Sequence, residues 1–357
     1  MPDRQSLHLA HAGFESARQL TQSPPGHPTA RWHGHSFGVQ VAAGPDGSWD
    51  ALQSALTDQA NTLDHQNLNA LLGQSADDGA LLQWFAQNLR RLNPVWIELN
   101  TAPGCWAKLN CNPRQSLTVT QGHAFEAAHQ LPNVPPGHKC GRMHGHGFSV
   151  RIASSLALED SPVAVRDRID QAWRPLAEQL HWSCLNDIDG LENPTSEHLA
   201  VWLWTRLGSL PGLESVAVNE TPTAGCWFDG ERMRIWKEQT LDCAVRLTDT
   251  TPDDPRRTVH GHTFNVRLHL SGPIDETLGW VHDFGDVKQA FKPIFERLDH
   301  HPLYTIEGLE HADSMTLAHW IHSQTESMLP GLCGVDVEHT THAGASVMRA
   351  DGQETGA

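Results

Sequence analysis

"RMHGHGFSVRI", residues 142–152, places two histidines at alternate positions at the head of an alternating strand. Side chains of a strand alternate between its faces, so His144 and His146 share one face. "RWHGHSF" (31–37) and "TVHGHTF" (258–264) carry the same triplet, beginning at His33 and His260. Each triplet runs into an alternating stretch, "SFGVQV", "GFSVRI" or "TFNVRLHL", and follows another strand-like run, "LHLAHAGFESARQL", "LTVTQGHAFEAAHQL" or "LDCAVRL". Two helical stretches come next in each repeat. A strand pair closes each one, around "PGCWAKL", "AGCWFDGERMRIW" and "AGASVMRA". The pattern is ββααββ, three times. It predicts units over 1–115, 116–239 and 240–350, and a polar, disordered tail over 351–357.

An antiparallel four-stranded sheet has two exposed edges that invite pairing. Closing three such sheets into one barrel removes them. The predicted fold is therefore α+β: an intrachain pseudo-trimer forming a twelve-stranded antiparallel barrel with helices outside. The joins between units lack Gly/Ser- or Pro-rich linker composition, which argues against three independent domains.

Composition narrows the function. The 357 residues carry a formal charge of −17, which argues against nucleic-acid or anionic membrane partners. The N-terminus has no apolar leader, so a cytoplasmic, soluble protein is expected. The 7 cysteines follow no disulfide spacing and read as reduced thiols. The 24 histidines invite a search for metal ligands.

"FEAAHQLPNVPPGHKCGRMHGHGFSVRI", "GLENPTSEHLAVWLW", "VNETPTAGC" and "GWVHDFGDVKQAFKPIFERLDHHPL" resemble the 6-pyruvoyltetrahydropterin synthase and 6-carboxytetrahydropterin synthase family, which has the T-fold. The Cys-x3-His-Gly-His spacing is most similar to the 6-carboxytetrahydropterin synthase branch, of the queuosine pathway. Members of that family are usually single-unit chains that assemble as trimers and pair into hexamers. The resemblance thus implies a whole trimer in one chain, and two chains pairing face to face into a pseudo-hexamer.

Position-by-position comparison separates the three units. His129 precedes His144 on the neighbouring strand and completes a three-nitrogen set with His144 and His146. Three imidazoles leave a metal's fourth position open, a catalytic arrangement. Other first-row metals suit such a set, so Zn2+, one per chain, rests partly on the resemblance. The counterparts of His129 are Arg18 and Val245, so the outer triplets read as structural. Cys140 becomes Thr29 and Arg256, and Glu220 becomes Leu99 and His339. Only the middle unit keeps Cys140, a thiol that a nearby cation can hold as thiolate. Cys105, Cys226, Cys184 and Cys333 read as packing residues.

"TLDHQNL" carries Asp64 and His65, and "RLDHHPL" carries Asp299 and His300; the middle unit has His181 and Trp182 there. An aspartate beside a histidine makes a proton shuttle. The resemblance implies that such a pair serves a cysteine across a subunit boundary, so a composite site is expected. Asp299 and His300 are preferred over Asp64 and His65. Glu220 would anchor the guanidine-like edge of a pterin. Thr195, Ser196 and Glu197 read equally as a helix cap or as pterin contacts. Lys139, Arg142, Arg256 and Arg257 are candidate phosphate contacts. The implied reaction is a lyase conversion of 7,8-dihydroneopterin triphosphate to 6-carboxytetrahydropterin. A pyruvoyl product, an aldolase-like cleavage and a non-catalytic pterin-binding protein are the alternatives.

Overall fold

A computed structural model describes residues 4–349 except 25, 74, 112–114, 157–159, 340 and 341. The expected tail at 351–357 lies outside the described residues. The first unit comprises β1 (Arg4–Arg18), β2 (His33–Ala43), α1 (Trp49–Leu63), β3 (Gln66–Asn67), α2 (Leu68–Leu72), α3 (Asp78–Asn88), β4 (Pro94–Ala102) and β5 (Cys105–Asn110). The second comprises β6 (Ser116–His129), β7 (His144–Ser155), α4 (Pro162–Leu180), β8 (Ser183–Cys184), α5 (Ser196–Arg206), β9 (Leu213–Thr221) and β10 (Ala224–Phe228). The third comprises β11 (Met233–Val245), β12 (His260–Ser271), α6 (Phe284–Leu298), α7 (Ser314–Thr325), β13 (Leu332–His339) and β14 (Gly344–Arg349).

Leaving aside the two-residue strands β3 and β8, the order is β1-β2-β4-β5-β6-β7-β9-β10-β11-β12-β13-β14, and β14 returns to β1. Every pairing in this ring is antiparallel, so the twelve-stranded closed barrel expected from the repeats is present. Period-two alternation sorts the side chains. Val150 and Ile152, Val216 and Val218, and Val266 and Leu268 point outward and are buried under the helices. The α6 helix answers with Val287, Phe291, Ile294 and Leu298, a stripe at helical spacing. The helix-side core of the second and third units is one continuous cluster, whereas the first unit packs its own.

One boundary differs from the sequence expectation. Residue 239 lies inside β11, so the third unit's first strand begins at Met233. The polar run Lys237–Thr240 resembles a break, but there the strand leaves β10 while staying paired with β12, and neither face is fully buried.

The first and second units are joined by a buried ion triad. Asp78, 1% exposed, accepts from Arg18 Nη1 at 2.7 Å and from Arg166 Nη1 of α4 at 2.5 Å. Burial alone would raise the Asp78 pKa; the Arg166 and Arg18 guanidinia outweigh it and hold the carboxyl far below the usual range. Its folded pKa lies below its unfolded value. The stabilisation is therefore complete above the unfolded carboxylate pKa of about 4 and is lost as pH falls below that. Replacing Asp78 by Asn strands two buried cations and is expected to cost about 3–5 kcal/mol. Urea unfolding at pH 7 measures this. The gap between wild type and Asp78→Asn should shrink as pH is lowered below about 4.

Candidate active site at the junction of the second and third units

His129 ends β6 directly opposite His144, the first residue of β7. His146, two residues on, projects from the same face, the helix side of the barrel. The Nε2 atoms of His129 and His146 are 3.2 Å apart, and the ligand atoms of all three histidines lie within 4.8 Å of one another. Each Nδ1 hydrogen is committed to a backbone carbonyl: His129 to Pro194 at 3.1 Å, His144 to Arg142 at 2.8 Å and His146 to Gly147 at 3.1 Å. That turns the Nε2 lone pairs toward the centre of the cluster, as carbonyl partners do for ligating histidines. Two nitrogens held by a tetrahedral ion at about 2.0–2.1 Å sit about 3.3 Å apart, so the spacing fits a divalent cation. Among the described residues this is the only group of three or more such side chains that could hold a metal.

Glu220, near the end of β9, lies 3.7 Å from His146 Nε2 and faces the open side of the cluster. Burial works to raise its pKa; His146, His129 and His144 reverse this and the carboxyl lies below the usual value. Cys140 sits in a single 3-10 turn, Lys139–Gly141, whose cap is His138; the His138 Nδ1 accepts from Cys140 N at 3.2 Å. Burial, then Glu220, pushes the Cys140 thiol up, with Lys139 opposing. Ionising this thiol therefore needs additional positive charge.

The third unit forms the other wall. Thr195, the cap of α5, donates to Gly279 O at 2.6 Å, and Asn193 donates to Leu278 O at 2.9 Å. Glu197 accepts from Val281 N at 3.1 Å and from Ser196 at 2.9 Å, and burial pushes its carboxyl up to about 7. His138 Nε2 is 3.4 Å from Asp283, the cap of α6. Thr195 is thus the cap that the sequence allowed, and it and Glu197 tie the helix start to the next unit, with Ser196 bonded to Glu197.

The Asp-His pairs occupy equivalent corners, each hung on its own unit's first strand. Asp64 accepts from Glu15 N at 2.8 Å, His181 from Glu126 N at 3.1 Å and Asp299 from Asp242 N at 3.1 Å. The following residues, His65, Trp182 and His300, share a left-handed backbone with φ of 54°, 59° and 57°. His300 and His65 each bond their aspartate at 2.8 Å, which raises both histidine pKa values. Asp242 belongs to β11, which pairs with β10 of the second unit. Glu15 belongs to β1, which pairs with β14 of the third. Asp299 and His300 therefore hang on the strand next to the Glu220 hairpin, and Asp64 and His65 do not.

The other two corners are chemically different. In the first unit Arg18 lies opposite His33, in the place of His129, so a guanidinium stands where the cluster has its third nitrogen. Burial, then Arg18, lowers the His35 pKa to about 4. In the third unit Val245 lies opposite His260. A cavity of about 510 Å3 opens there against the first unit, lined by His262, His339, Met315 and Trp49. The space is ample and His8 and His311 also line it, but among the described residues these histidines do not converge into a metal-binding group. Arg256 is bound to Asp254 and Asp50 at 2.6 and 2.8 Å, and Arg257 to Thr248 and Thr250 carbonyls, so neither is free to serve as a phosphate contact. One equivalence is corrected. Register pairs Ser149 with Asn219 and Gly38 with Asn100, so Thr101, not Leu99, matches Glu220. Leu99 instead faces the helix-side core.

Lys237 and Lys288 were not apparent from the motifs. Lys237 on β11 donates to Thr223 at 2.8 Å, beside the Glu220 hairpin. Burial, then Lys288 and Lys139, lowers its pKa, so three lysines from two units face one another on this rim. No motif marks them, because they come together only across the junction.

The profile of the 6-pyruvoyl tetrahydropterin synthase family matches residues 118–231 and, a second time, 234–350. The chain belongs to this family. The 6-carboxy-5,6,7,8-tetrahydropterin synthase of Synechocystis sp. is 37% identical over 119 residues, 31% of this chain and 91% of that protein. The solved structure of Caenorhabditis elegans 6-pyruvoyl tetrahydropterin synthase is 19% identical, over 31% of this chain and 92% of that one, with a TM-score of 0.30. Urate oxidase from Bacillus sp. TB-90 aligns over 72% of this chain and 98% of its own at 8% identity, TM-score 0.31. Neither structural likeness is close enough to bear on activity. No helix among the described residues is long and apolar enough to cross a membrane.

Among the described residues only the middle corner assembles three nitrogens, so elemental analysis should find about one metal per chain. His144→Ala should empty the site and His33→Ala should leave it filled. Metal should also be released as pH falls through the imidazole range of about 6.5, because the ligating nitrogens must be unprotonated.

Proposed function

We propose that this chain is a metal-dependent tetrahydropterin synthase of the 6-carboxytetrahydropterin type, with one active site per barrel, acting in the cytoplasm in the queuosine pathway. The observation that carries the proposal is the coincidence at one corner of the His129, His144 and His146 cluster, Cys140, Glu220 and a wall supplied by the third unit. The similarity to the Synechocystis sp. enzyme supports the same product class.

The substrate would be 7,8-dihydroneopterin triphosphate, converted with water to 6-carboxytetrahydropterin, acetaldehyde and triphosphate. Glu220 would accept paired hydrogen bonds from the guanidine-like edge of the ring. Thr195, Ser196 and Glu197 would stand beside the pterin at the start of α5, where burial pushes the Glu197 carboxyl up to about 7. Lys139, Lys237 and Lys288 offer the positive rim that a triphosphate requires. A Zn2+ ion on His129, His144 and His146 would supply Lewis acidity to the side-chain oxygens and the positive charge that favours the Cys140 thiolate. Cys140 Sγ would take a proton from the side-chain carbon, and His300 Nε2 would deliver or remove one, its ring oriented by Asp299. Exposed Trp32, Met143 and Val259 each precede a triplet and ring one end of the barrel, which suits face-to-face pairing with a second copy.

Mass spectrometry of turnover with dihydroneopterin triphosphate tests the reading directly. The carboxy product and acetaldehyde are expected; a pyruvoyl product would move the chain to the other branch, and no product would leave a binding protein. Cys140→Ala should retain metal and fold while losing activity by about 100- to 10,000-fold.

His300→Ala should lose activity on the same scale with metal content normal, whereas His65→Ala should stay within a few-fold of wild type. Asp299→Asn removes the bond that raises the His300 pKa, so the limb of the pH–rate profile belonging to His300 should move to lower pH.

A further inference from the structure

The cluster that binds metal projects from the helix side of the wall. The opposite parity of the same strands lines the lumen, and its charges are unevenly distributed. A cavity of about 260 Å3 in the lumen touches every strand of the ring from β4 through β12, and Arg151, Arg234, Arg267 and Glu98 face it. Twelve strands enclose more space than side chains of ordinary size fill, so such a lumen is wet. Arg151 is accordingly exposed to solvent although strands surround it.

Cross-strand register decides which of these charges are matched. Lys108 stands opposite Glu98, and Arg267 stands opposite Glu238 and Asp336, bonding Glu238 at 2.8 Å. Arg151 stands opposite Gly122 and Ala217, and Arg234 opposite Trp227 and Ser271. Among the described residues neither guanidinium has a carboxylate partner within ion-pair distance. Each instead has its Cζ over an indole ring: Arg151 over Trp106 at 4.5 Å and Arg234 over Trp227 at 4.7 Å. Stacking fixes the plane of a guanidinium and leaves its N–H edge free to bond an oxyanion in bidentate fashion. The hydroxyls of Thr120 and Ser215 face the same space. Farther round the first unit, Leu7, Leu9, Ala42 and Trp96 pack together instead.

We propose that this half of the lumen is a binding site for a small multivalent oxyanion of the pyrophosphate type, separate from the metal centre. Arg151 is repelled by Arg267 and has Glu98, shared with Lys108, as its attractive charge. Among the described residues neither stacked arginine makes an ion pair, so such an anion supplies the missing counter-charge. Isothermal titration of the full-length chain with pyrophosphate at low salt should show a saturable lumen site, separable from any binding at the lysine rim, that weakens as salt is raised. Arg151→Gln/Arg234→Gln should bind about tenfold more weakly or worse, and Arg151→Lys/Arg234→Lys should fall between. His144→Ala should bind as wild type does, which separates this site from chelation at the metal centre; Lys139→Gln/Lys288→Gln should likewise be unaffected. Without anion, the Arg151→Gln/Arg234→Gln chain should melt no lower than wild type. Absence of saturable binding, unchanged binding in that variant, loss of binding only in the lysine variant, or a lowered melting temperature without anion would each overturn the proposal.

Discussion

The pairing of β1 with β14 is the constraint on which everything else rests. Arg4 stands opposite Arg349 and Leu9 opposite Gly344, so the two ends of the described chain seal the last gap in the ring. Without that ladder the sheet would present two open edges, and the three corners would lose their common geometry. Closure also makes the side-chain parity consistent around the whole ring. One parity feeds the helix-covered core, and the other the lumen.

Closure brings the start of each unit's first long helix against the preceding unit's triplet corner. The consequence is cyclic: the first corner is walled by the second unit through Arg166, the second by the third through Val281, and the third by the first through Asp50. What each corner does then depends on a few side chains set in the same backbone. Arg18 brings a fixed cation and its own counterion Asp78, and becomes a joint. Val245 brings nothing to ligate. His129 brings a lone pair, and among the described residues its corner is the one whose side chains could hold a metal.

Much of this was legible in the sequence because strands are simple to read. The triplets fix parity, and a constant offset from each triplet identified Arg18, His129 and Val245 as equivalents, which the register bears out. Leu99 was mismatched because the β4–β5 turn is two residues shorter than the β9–β10 turn, Asn100 lying five residues before Cys105 and Asn219 seven before Cys226, and only the sheet register restores the alignment. The β11 boundary was misplaced because the strand's polar middle serves a junction rather than a core. Lys237, Lys288 and the lumen arginines carry no local signature at all. Their meaning comes from neighbours distant along the chain, and composition, which is acidic throughout, hides them.

Covalent continuity between the units changes how the middle corner responds to dilution. In an assembly of separate subunits, a corner walled by two chains disappears as concentration falls below the dissociation constant. Here the wall is tethered to the triplet it completes, so its effective concentration is set by the intervening chain rather than by the solution. The corner's integrity is therefore a folding equilibrium, indifferent to how much protein is present. A substitution at one corner also appears once per barrel, not three times, which is why neighbouring corners can carry a guanidinium and a valine in the same ring.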